Sequence, residues 1–268
     1  MEMPVNAFKR GLKSGETQFG LWLGLPDSSV AEIVAAAGFD WLLIDHEHAP
    51  FELSHILAHL QAVSSYPVAP IVRPVDDNPS LLKKLLEIGV QSFLVPMVDN
   101  AEQAAAIVQS LRYPPEGQRG LGTSLARAAR WNQVPNYIQR ANDQICLIVQ
   151  AETVSAMQNL GEILEVDGVD GVFIGPSDLS ASMGHVGNPA HPEVVSAISG
   201  ALGMIKAAGK FAGLLCLDPA MVRDYIDGGA DFVGVGVDTL ILAQGARQLL
   251  GEFKHDTATE SASSQAGY

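Results

Sequence analysis

Short apolar runs alternate with amphipathic helical patterns along almost the whole chain. The runs are apolar at nearly every position, which is typical of parallel strands buried on both faces of a sheet. We predict eight strands, at residues 19–25, 41–45, 69–73, 92–96, 145–150, 171–175, 211–217 and 232–237. We predict helices between and after them, at residues 29–37, 51–64, 79–88, 101–111, 154–164, 193–208, 219–227 and 240–253.

Repeated strand–helix units imply a parallel sheet with right-handed crossovers. Eight such units in a chain of about 250 residues favour an α/β fold in which the strands close into a (β/α)8 TIM barrel. A doubly wound dinucleotide-binding sheet is disfavoured because no GxGxxG motif follows the first strand. We predict a single barrel domain over residues 1–254 and a disordered polar tail over residues 255–268.

The chain has 16 basic and 30 acidic residues, which gives a formal net charge of −14. This charge repels phosphate backbones and anionic membranes, so nucleic acid and membrane surfaces are excluded as main partners. The two cysteines, Cys146 and Cys216, lie in apolar runs and are predicted to be structural thiols. The N-terminus lacks the apolar stretch of a signal peptide, and no apolar run is long enough to span a membrane. We therefore expect a cytoplasmic protein.

Acidic side chains follow two neighbouring predicted strands. Glu152 follows strand 5 and Asp178 follows strand 6, and the carboxyl ends of barrel strands meet at one mouth. Two carboxylates in one cavity repel each other unless a proton or cation lies between them. An oxygen-rich site of this kind suits Mg²⁺ or Mn²⁺. The alternative is that each carboxylate caps the helix that follows it.

The sequence DHEH follows strand 2. A carboxylate that orients an imidazole forms a general base near neutral pH, which points to Asp45 and His48. Strand alternation would direct His46 and His48 similarly and Glu47 away, so a metal cluster is the weaker interpretation. A charged surface loop is the other alternative.

Arg73 ends strand 3 and is costly to bury without an anionic partner. A substrate carboxylate suits it, and an internal salt bridge to Asp76 or Glu152 is the alternative. None of the lysines ends a strand, which disfavours a Schiff-base mechanism, and no GxSxG motif is present. A carbanion formed here would therefore need a metal.

Residues 112–143 form a long connection that carries five arginines. Long loops in compact domains are usually functional. We expect this one to follow strand 4 at the mouth of the barrel.

Several segments are long enough to carry a family resemblance: FGLWLGL, AGFDWLLIDHEHAP, RYPPEGQRG, SLARAARW and GVDGVFIGPSDLSASMGHVGNPAHPEV. With them the chain resembles the HpcH/HpaI aldolases, which are class II, metal-dependent pyruvate aldolases, over roughly residues 7–254. The resemblance implies a TIM barrel in a homo-hexamer, a trimer of dimers whose last helix is exchanged between subunits. The implied reaction is the reversible retro-aldol cleavage of 4-hydroxy-2-oxo acids, such as 4-hydroxy-2-oxoheptanedioate, to pyruvate and an aldehyde.

The resemblance also implies the metal and substrate ligands. Glu152 and Asp178 would hold Mg²⁺, Mn²⁺ or Co²⁺, on which the 2-oxo acid is chelated. Arg73 would bind the keto oxygen and stabilise the enolate. Gln150 and the backbone around Ser177 would complete the substrate contacts, together with Asp178.

Four further residues are implied or assigned. His48, paired with Asp45, would act as the base through a metal-associated water. Glu87 matches a carboxylate that reaches across the dimer to strengthen that base. Arg127 matches a position that binds the far end of the aldehyde. We also assign Leu215, at the end of strand 7, to the substrate site.

One position departs from the family pattern, which has glycine where this chain has His46. A histidine would be strained there if the backbone had a positive φ. Two other activities stay open: a citrate-lyase-β-like acyl-CoA lyase, for which the loop arginines are the only candidates to bind CoA phosphates, and a 2-dehydro-3-deoxy sugar-acid aldolase. Hydroxypyruvate is a further candidate donor.

Overall fold

Eight parallel strands close into a barrel in the order in which they follow along the chain, in a computed structural model that describes residues 1–254. The predicted TIM barrel is therefore confirmed; the tail predicted for residues 255–268 lies outside the described residues. Strands β1 to β8 are Gln18–Leu23, Trp41–Asp45, Ala69–Arg73, Ser92–Val95, Cys146–Ala151, Gly171–Ile174, Phe211–Leu215 and Phe232–Val237.

Helices surround the barrel and connect its strands. Helices α1 to α12 are Ala7–Leu12, Ser28–Ala35, Leu53–Ala62, Pro79–Ile88, Ala101–Leu111, Tyr137–Ala141, Val154–Gln158, Leu160–Glu165, Pro176–Ser182, Pro192–Ala207, Pro219–Asp227 and Asp238–Gly251, with short 3-10 turns at Val63–Ser65 and Asn142–Gln144. The predicted helix over residues 154–164 is two helices that meet at Asn159, and α1, α6 and α9 were not predicted. No helix among the described residues is long and apolar enough to cross a membrane.

The strand register brings the mouth residues to one level. Asp45 pairs with Arg73 across β2 and β3, so both side chains leave the barrel at the same height. Ala151 pairs with Ile174 across β5 and β6, which places the segments after these strands side by side. Polar residues far apart in sequence therefore meet at the carboxyl end.

Two apolar layers hold the barrel. The outer layer lies between strands and helices and contains most of the aliphatic side chains. The inner layer is aromatic, and Trp41 contacts both Phe8 and Phe232 edge-to-face. Gly20 leaves room for the Trp41 ring, because a Cβ at Gly20 would overlap it. Phe8 and Leu12 of α1 belong to this inner layer and close the amino end of the barrel.

The arginine-rich segment 112–143 does not lie at the mouth, so that prediction is wrong. The segment follows α5 rather than β4, and it leads into β5 at the amino end of the strands. Arg127 and Arg130 line a cavity there with Ala69 and Ser92, the first residues of β3 and β4. A connection that follows a helix in this fold returns to the amino end of the sheet.

The last helix is almost free of intrachain packing. Every residue of α12 after Asp238 is exposed. The exposed residues include Leu240, Ile241, Leu242, Leu249 and Leu250. Burial of apolar side chains stabilises a helix against its barrel, and α12 lacks that burial within one chain.

Candidate active site

A buried ion pair lies at the centre of the mouth. Arg73 Nε donates to Asp45 Oδ1 at 3.0 Å, and Arg73 Nη2 donates to Asp45 Oδ2 at 2.6 Å. Burial lowers the pKa of the Arg73 guanidinium. The hydrogen bonds to Asp45 and the negative charges of Asp45, Glu47 and Glu152 outweigh burial, so the pKa is raised overall. The internal partners of Arg73 are therefore Asp45 and Glu47, not Asp76.

Glu47 also faces the site, which the sequence analysis missed. Its Oε2 lies 3.0 Å from Arg73 Nη1, yet this buried oxygen accepts no aligned hydrogen bond. Burial raises the pKa of Glu47; the charges of Arg73 and His48 lower it, and those of Asp45 and Asp178 raise it. The predicted alternation fails because β2 ends at Asp45, whose Oδ1 accepts the backbone N–H of Glu47 at 3.1 Å and turns the chain.

The histidines of the DHEH segment take different positions from those expected. Asp45 Oδ1 accepts the backbone N–H of His48 at 3.3 Å, and the His48 ring lies instead 3.7 Å from Glu47 Oε2. The His48 side chain is 67% exposed. His46 does not have a positive φ, so the strain considered for a non-glycine residue there is absent. Its buried Nδ1 has no hydrogen-bond partner.

Glu152 is held at the mouth by two donors. The backbone N–H of Met97 donates to its Oε1 at 2.9 Å, and Gln150 Nε2 donates to its Oε2. Met97 has a left-handed backbone with φ of 56°, which is rare for a residue with a side chain. Burial raises the pKa of Glu152 to about 7, opposed by the Met97 hydrogen bond and reinforced by the charges of Asp178 and Glu47.

Neither predicted metal ligand caps a helix. Thr153, not Glu152, is the N-cap of α7, and its side chain accepts the N–H of Ala156. Gly175 is the N-cap of α9, and Asp178 lies in the first turn of that helix, where the cap makes no side-chain hydrogen bond. The helix-cap alternative is therefore excluded for both carboxylates.

The mouth offers oxygen ligands to a cation. Gln150 Oε1 and Glu47 Oε2 are buried oxygens without hydrogen-bond partners, and the charges of Glu47, Glu152 and Asp178 repel one another. Within residues 1–254 the mouth holds no trio of His, Cys, Asp or Glu ligand atoms within 4.8 Å. A cation bound there would take two carboxylates and complete its shell with water and substrate oxygens, as Mg²⁺ commonly does.

Two of the assigned substrate residues line one cavity beside the mouth. Ser177 and Leu215 line a space of about 280 Å³. Pro189, Ala190 and Tyr225 complete much of its wall. The cavity is mostly apolar, so it suits the carbon skeleton of a small molecule rather than its charged end.

Glu87 and Arg127 lie away from the mouth of their own chain. Glu87 is near the end of α4, at the amino end of the barrel, where its Oε1 accepts from Arg119 Nη2 at 3.1 Å. Arg127 Nη1 donates to the Ile88 carbonyl oxygen at 2.9 Å. Burial, followed by the charge of Arg130, lowers the pKa of Arg127. Both residues line a cavity of about 660 Å³ outside the barrel.

The fold and the mouth define a class of protein: a (β/α)8 barrel with a buried arginine and uncapped carboxylates converging where its strands end. Residues 18–244 match the model of the HpcH/HpaI aldolase/citrate lyase family. The chain belongs to this family.

Three relatives show how closely the chain follows the family. It is 54% identical over 264 residues to the hydroxypyruvate/pyruvate aldolase of Pseudomonas aeruginosa, covering 98% of each chain. It is 54% identical over 263 residues to the 4-hydroxy-2-oxo-heptane-1,7-dioate aldolase of Klebsiella pneumoniae, covering 98% of this chain and 99% of the relative. The crystal structure of an HpcH/HpaI aldolase/citrate lyase family protein from Burkholderia cenocepacia superposes with a TM-score of 0.89 at 36% identity, covering 93% of this chain and 99% of that one.

Proposed function

We propose that the protein is a metal-dependent, class II aldolase, a carbon–carbon lyase that reversibly cleaves 4-hydroxy-2-oxo acids to pyruvate and an aldehyde. The example best supported by relatives is 4-hydroxy-2-oxoheptanedioate, with succinic semialdehyde as the aldehyde. Hydroxypyruvate is a second candidate donor, because one relative is named for it. The observation that carries the proposal is the pair Glu152 and Asp178, close enough for their charges to interact and free of any helix-cap role.

The donor set fits a divalent cation. Glu152 and Asp178 would hold Mg²⁺, Mn²⁺ or Co²⁺, with the unpaired Gln150 Oε1 nearby to accept a hydrogen bond from a substrate hydroxyl or bound water. When bound, the metal supplies Lewis-acid stabilisation of the negative charge that develops on the 2-oxo acid. Gln150 also donates to Glu152 and so fixes the orientation of that carboxylate.

Arg73 is positioned to stabilise the enolate. A guanidinium has five N–H groups, and two of them donate to Asp45. The remaining N–H groups are available to the keto oxygen, next to Glu47. Because Asp45 locks the guanidinium before substrate arrives, little reorganisation is needed as charge develops.

Proton transfer is assigned to His48. In the cleavage direction the C4 hydroxyl gives its proton to His48 and the C3–C4 bond breaks. The bonding electrons go to the pyruvate enolate, C4 leaves as the carbonyl carbon of the aldehyde, and the enolate then takes at C3 the proton that His48 returns. Glu47, 3.7 Å from the His48 ring, is the carboxylate that would stabilise the resulting imidazolium. Asp45 acts as a positioning residue through the His48 backbone and Arg73.

The acyl-CoA lyase alternative is disfavoured. The arginines of residues 112–143 were the only candidates for CoA phosphates, and within one subunit they belong to a connection at the opposite end of the barrel from the mouth. Only Arg127 among them is assigned to a neighbouring subunit's mouth, so no cluster of arginines from residues 112–143 is available there for CoA. No observation separates a 2-dehydro-3-deoxy sugar acid from other 4-hydroxy-2-oxo acids, so it is one of the substrates to assay.

We also propose a homo-hexamer in which α12 packs on a neighbouring subunit. The exposed apolar side chains of α12 support this exchange. In such an assembly Glu87 and Arg127 would serve the mouth of another subunit, because each lies at the amino end of its own barrel.

The test is pyruvate release from 4-hydroxy-2-oxoheptanedioate with and without metal. We expect EDTA to abolish activity, and Mg²⁺, Mn²⁺ or Co²⁺ to restore it. Glu152→Gln should raise the metal concentration needed for half-maximal activity at least tenfold, whereas Glu162→Gln, at an exposed carboxylate in α8, should not. Full activity in metal-free buffer, or equal metal requirements for both variants, would refute the assignment.

A further inference from the structure

A second group of metal-ligating side chains lies outside the mouth. His185, His191 and Glu193 are the trio within residues 1–254 whose ligand atoms all lie within 4.8 Å of one another. His185 is on the loop after α9, and His191 and Glu193 are at the start of α10. The activity proposed above uses none of them.

The backbone fixes all three positions. His191 is the N-cap of α10, a helix of 16 residues, and Glu193 lies in its first turn. The His185 N–H donates to the Ser180 carbonyl oxygen at 2.7 Å, and the Asn188 N–H donates to the His185 carbonyl oxygen at 2.9 Å. The loop therefore holds His185 against the helix before any ligand binds.

The side chains already contact one another. His185 Nε2 lies 2.9 Å from Glu193 Oε2, and the two imidazole rings stack with centroids 3.6 Å apart and an interplanar angle of 14°. Among the described residues, Glu193 has no Lys or Arg within 4 Å, so the imidazoles are its charge partners. Its pKa is lowered, mainly by the hydrogen bond to His185 and then by the charges of His185 and His191.

Two imidazole nitrogens and a carboxylate oxygen are ligands that Zn²⁺ binds well, whereas Mg²⁺ prefers oxygen alone. Bonds of about 2.1 Å in a tetrahedral shell place ligand atoms about 3.4 Å apart. The three ligand atoms lie within 4.8 Å of one another, so each pair is at most about 1.4 Å wider than that spacing. The two stacked rings must also turn out of parallel for both to face one ion. The fourth position would be left for water.

We propose that His185, His191 and Glu193 form a second metal site, separate from the mouth, that takes a borderline transition-metal ion such as Zn²⁺. On binding, His185 Nε2 releases its proton to solvent or shifts it to Nδ1, because a ligating nitrogen must offer a lone pair. His191 Nδ1 accepts the backbone N–H of Glu193 at 3.3 Å, and it gives up this bond to offer its lone pair to the ion. The ion fastens the loop 184–191 to α10. Pro189 and Ala190 of this loop line the cavity that Ser177 and Leu215 share. A bound ion would therefore hold part of the wall of that cavity in place.

Co²⁺ is the spectroscopic probe, since a four-coordinate site with nitrogen ligands gives much stronger visible bands than a six-coordinate oxygen site. The experiment uses the full chain with Glu152→Gln, so that the mouth is weakened. His191→Asn removes the ligand but keeps a residue that caps helices well. Glu193→Gln removes the charged ligand, and Glu162→Gln is the matched control for the lost carboxylate.

We expect strong Co²⁺ bands in the Glu152→Gln protein and in its Glu162→Gln derivative. The bands should be lost with His191→Asn. With Glu193→Gln, the Co²⁺ concentration needed to reach half of the full band intensity should rise at least tenfold. Equilibrium dialysis with Zn²⁺ should find one ion fewer per chain after His191→Asn, with unchanged far-UV circular dichroism. Bands that are absent from the starting protein, that survive both trio substitutions, or that depend on Glu152 would overturn the proposal. Because the readout is metal binding, it stands or fails independently of the aldolase assay.

Discussion

The ion pair between Asp45 and Arg73 permits a quantitative prediction of stability. The Asp45→Asn substitution leaves the shape of the side chain but replaces Oδ2, which accepts from Arg73 Nη2, by an amide that also donates. Both side chains are at most 9% exposed. Removing one partner of a buried ion pair costs about 3–5 kcal/mol. Glu47 remains 3.0 Å from the guanidinium as a counter-charge, so we expect the lower end, about 3 kcal/mol.

The chain offers a matched control. Lys206 Nζ and Asp231 Oδ1 are also 2.6 Å apart, but the Lys206 side chain is 59% exposed. Breaking that pair with Lys206→Gln should cost at most about 1 kcal/mol. The two pairs have the same shortest distance, but the mouth pair is buried and makes two hydrogen bonds, whereas the control pair is exposed at its lysine and makes one.

Thermal unfolding of metal-free protein at one fixed concentration is the assay. A loss of about 3 kcal/mol in a barrel of this size corresponds to a decrease in Tm of about 6–12 °C. The control should shift by less than about 4 °C. If Asp45→Asn and Lys206→Gln gave equal shifts, the argument that burial makes the mouth ion pair strong would be wrong.

Two further predictions concern the mouth and the core. A Cβ at Gly175 would overlap Glu152 Oε2, so Gly175→Ala should weaken Mn²⁺ binding at least tenfold in a titration, whereas Gly161→Ala, with open space around its Cβ, should leave binding unchanged. His59 is fully buried, and burial lowers its pKa despite hydrogen bonds to two carbonyl oxygens. Below the unfolded pKa of about 6.5 the unfolded chain binds the extra proton, so stability in urea should decrease as pH falls from that value, and His59→Gln should flatten this decrease. An unchanged slope in the variant would show that His59 does not contribute.

The fold could be predicted from the sequence because barrel strands are buried on both faces and therefore appear as continuous runs of apolar residues. All eight strands were predicted, although β1 and β7 end two residues earlier than expected. The helix over residues 154–164 was predicted as continuous although Asn159 and Gly161 are weak helix formers, because its apolar positions keep a helical spacing. Asn159 Nδ2 donates to the Asp99 carbonyl oxygen at 2.8 Å, and the helix is interrupted at Asn159. That contact joins residues 60 positions apart, which local periodicity does not report.

The site was partly readable for the same reason. Strand ends identified Asp45, Arg73 and Glu152, since the barrel topology brings such positions together. The orientation of the DHEH segment was not readable, because the alternation of a strand stops where its pairing stops. The Asp45 carboxylate turns the chain there, and Glu47 points to Arg73 as a result. Aspartate side chains often accept the backbone N–H two residues further on, so Asp45 was a general signal for a turn. That signal does not say which side chain would reach Arg73.

The position of helix α1 determines the route by which substrate enters the barrel and products leave it. Phe8 and Leu12 pack against Trp41 and Phe232 at the base of the barrel, and the inner aromatic layer fills the space above them, so no channel runs through the barrel that residues 1–254 form. Substrate and both products must therefore pass through the mouth of the barrel, one after another. In an enzyme that cleaves one substrate into two products, the aldehyde has to leave before the 2-oxo acid that is held beneath it by Arg73 and the metal, so we expect the two products to be released in that order.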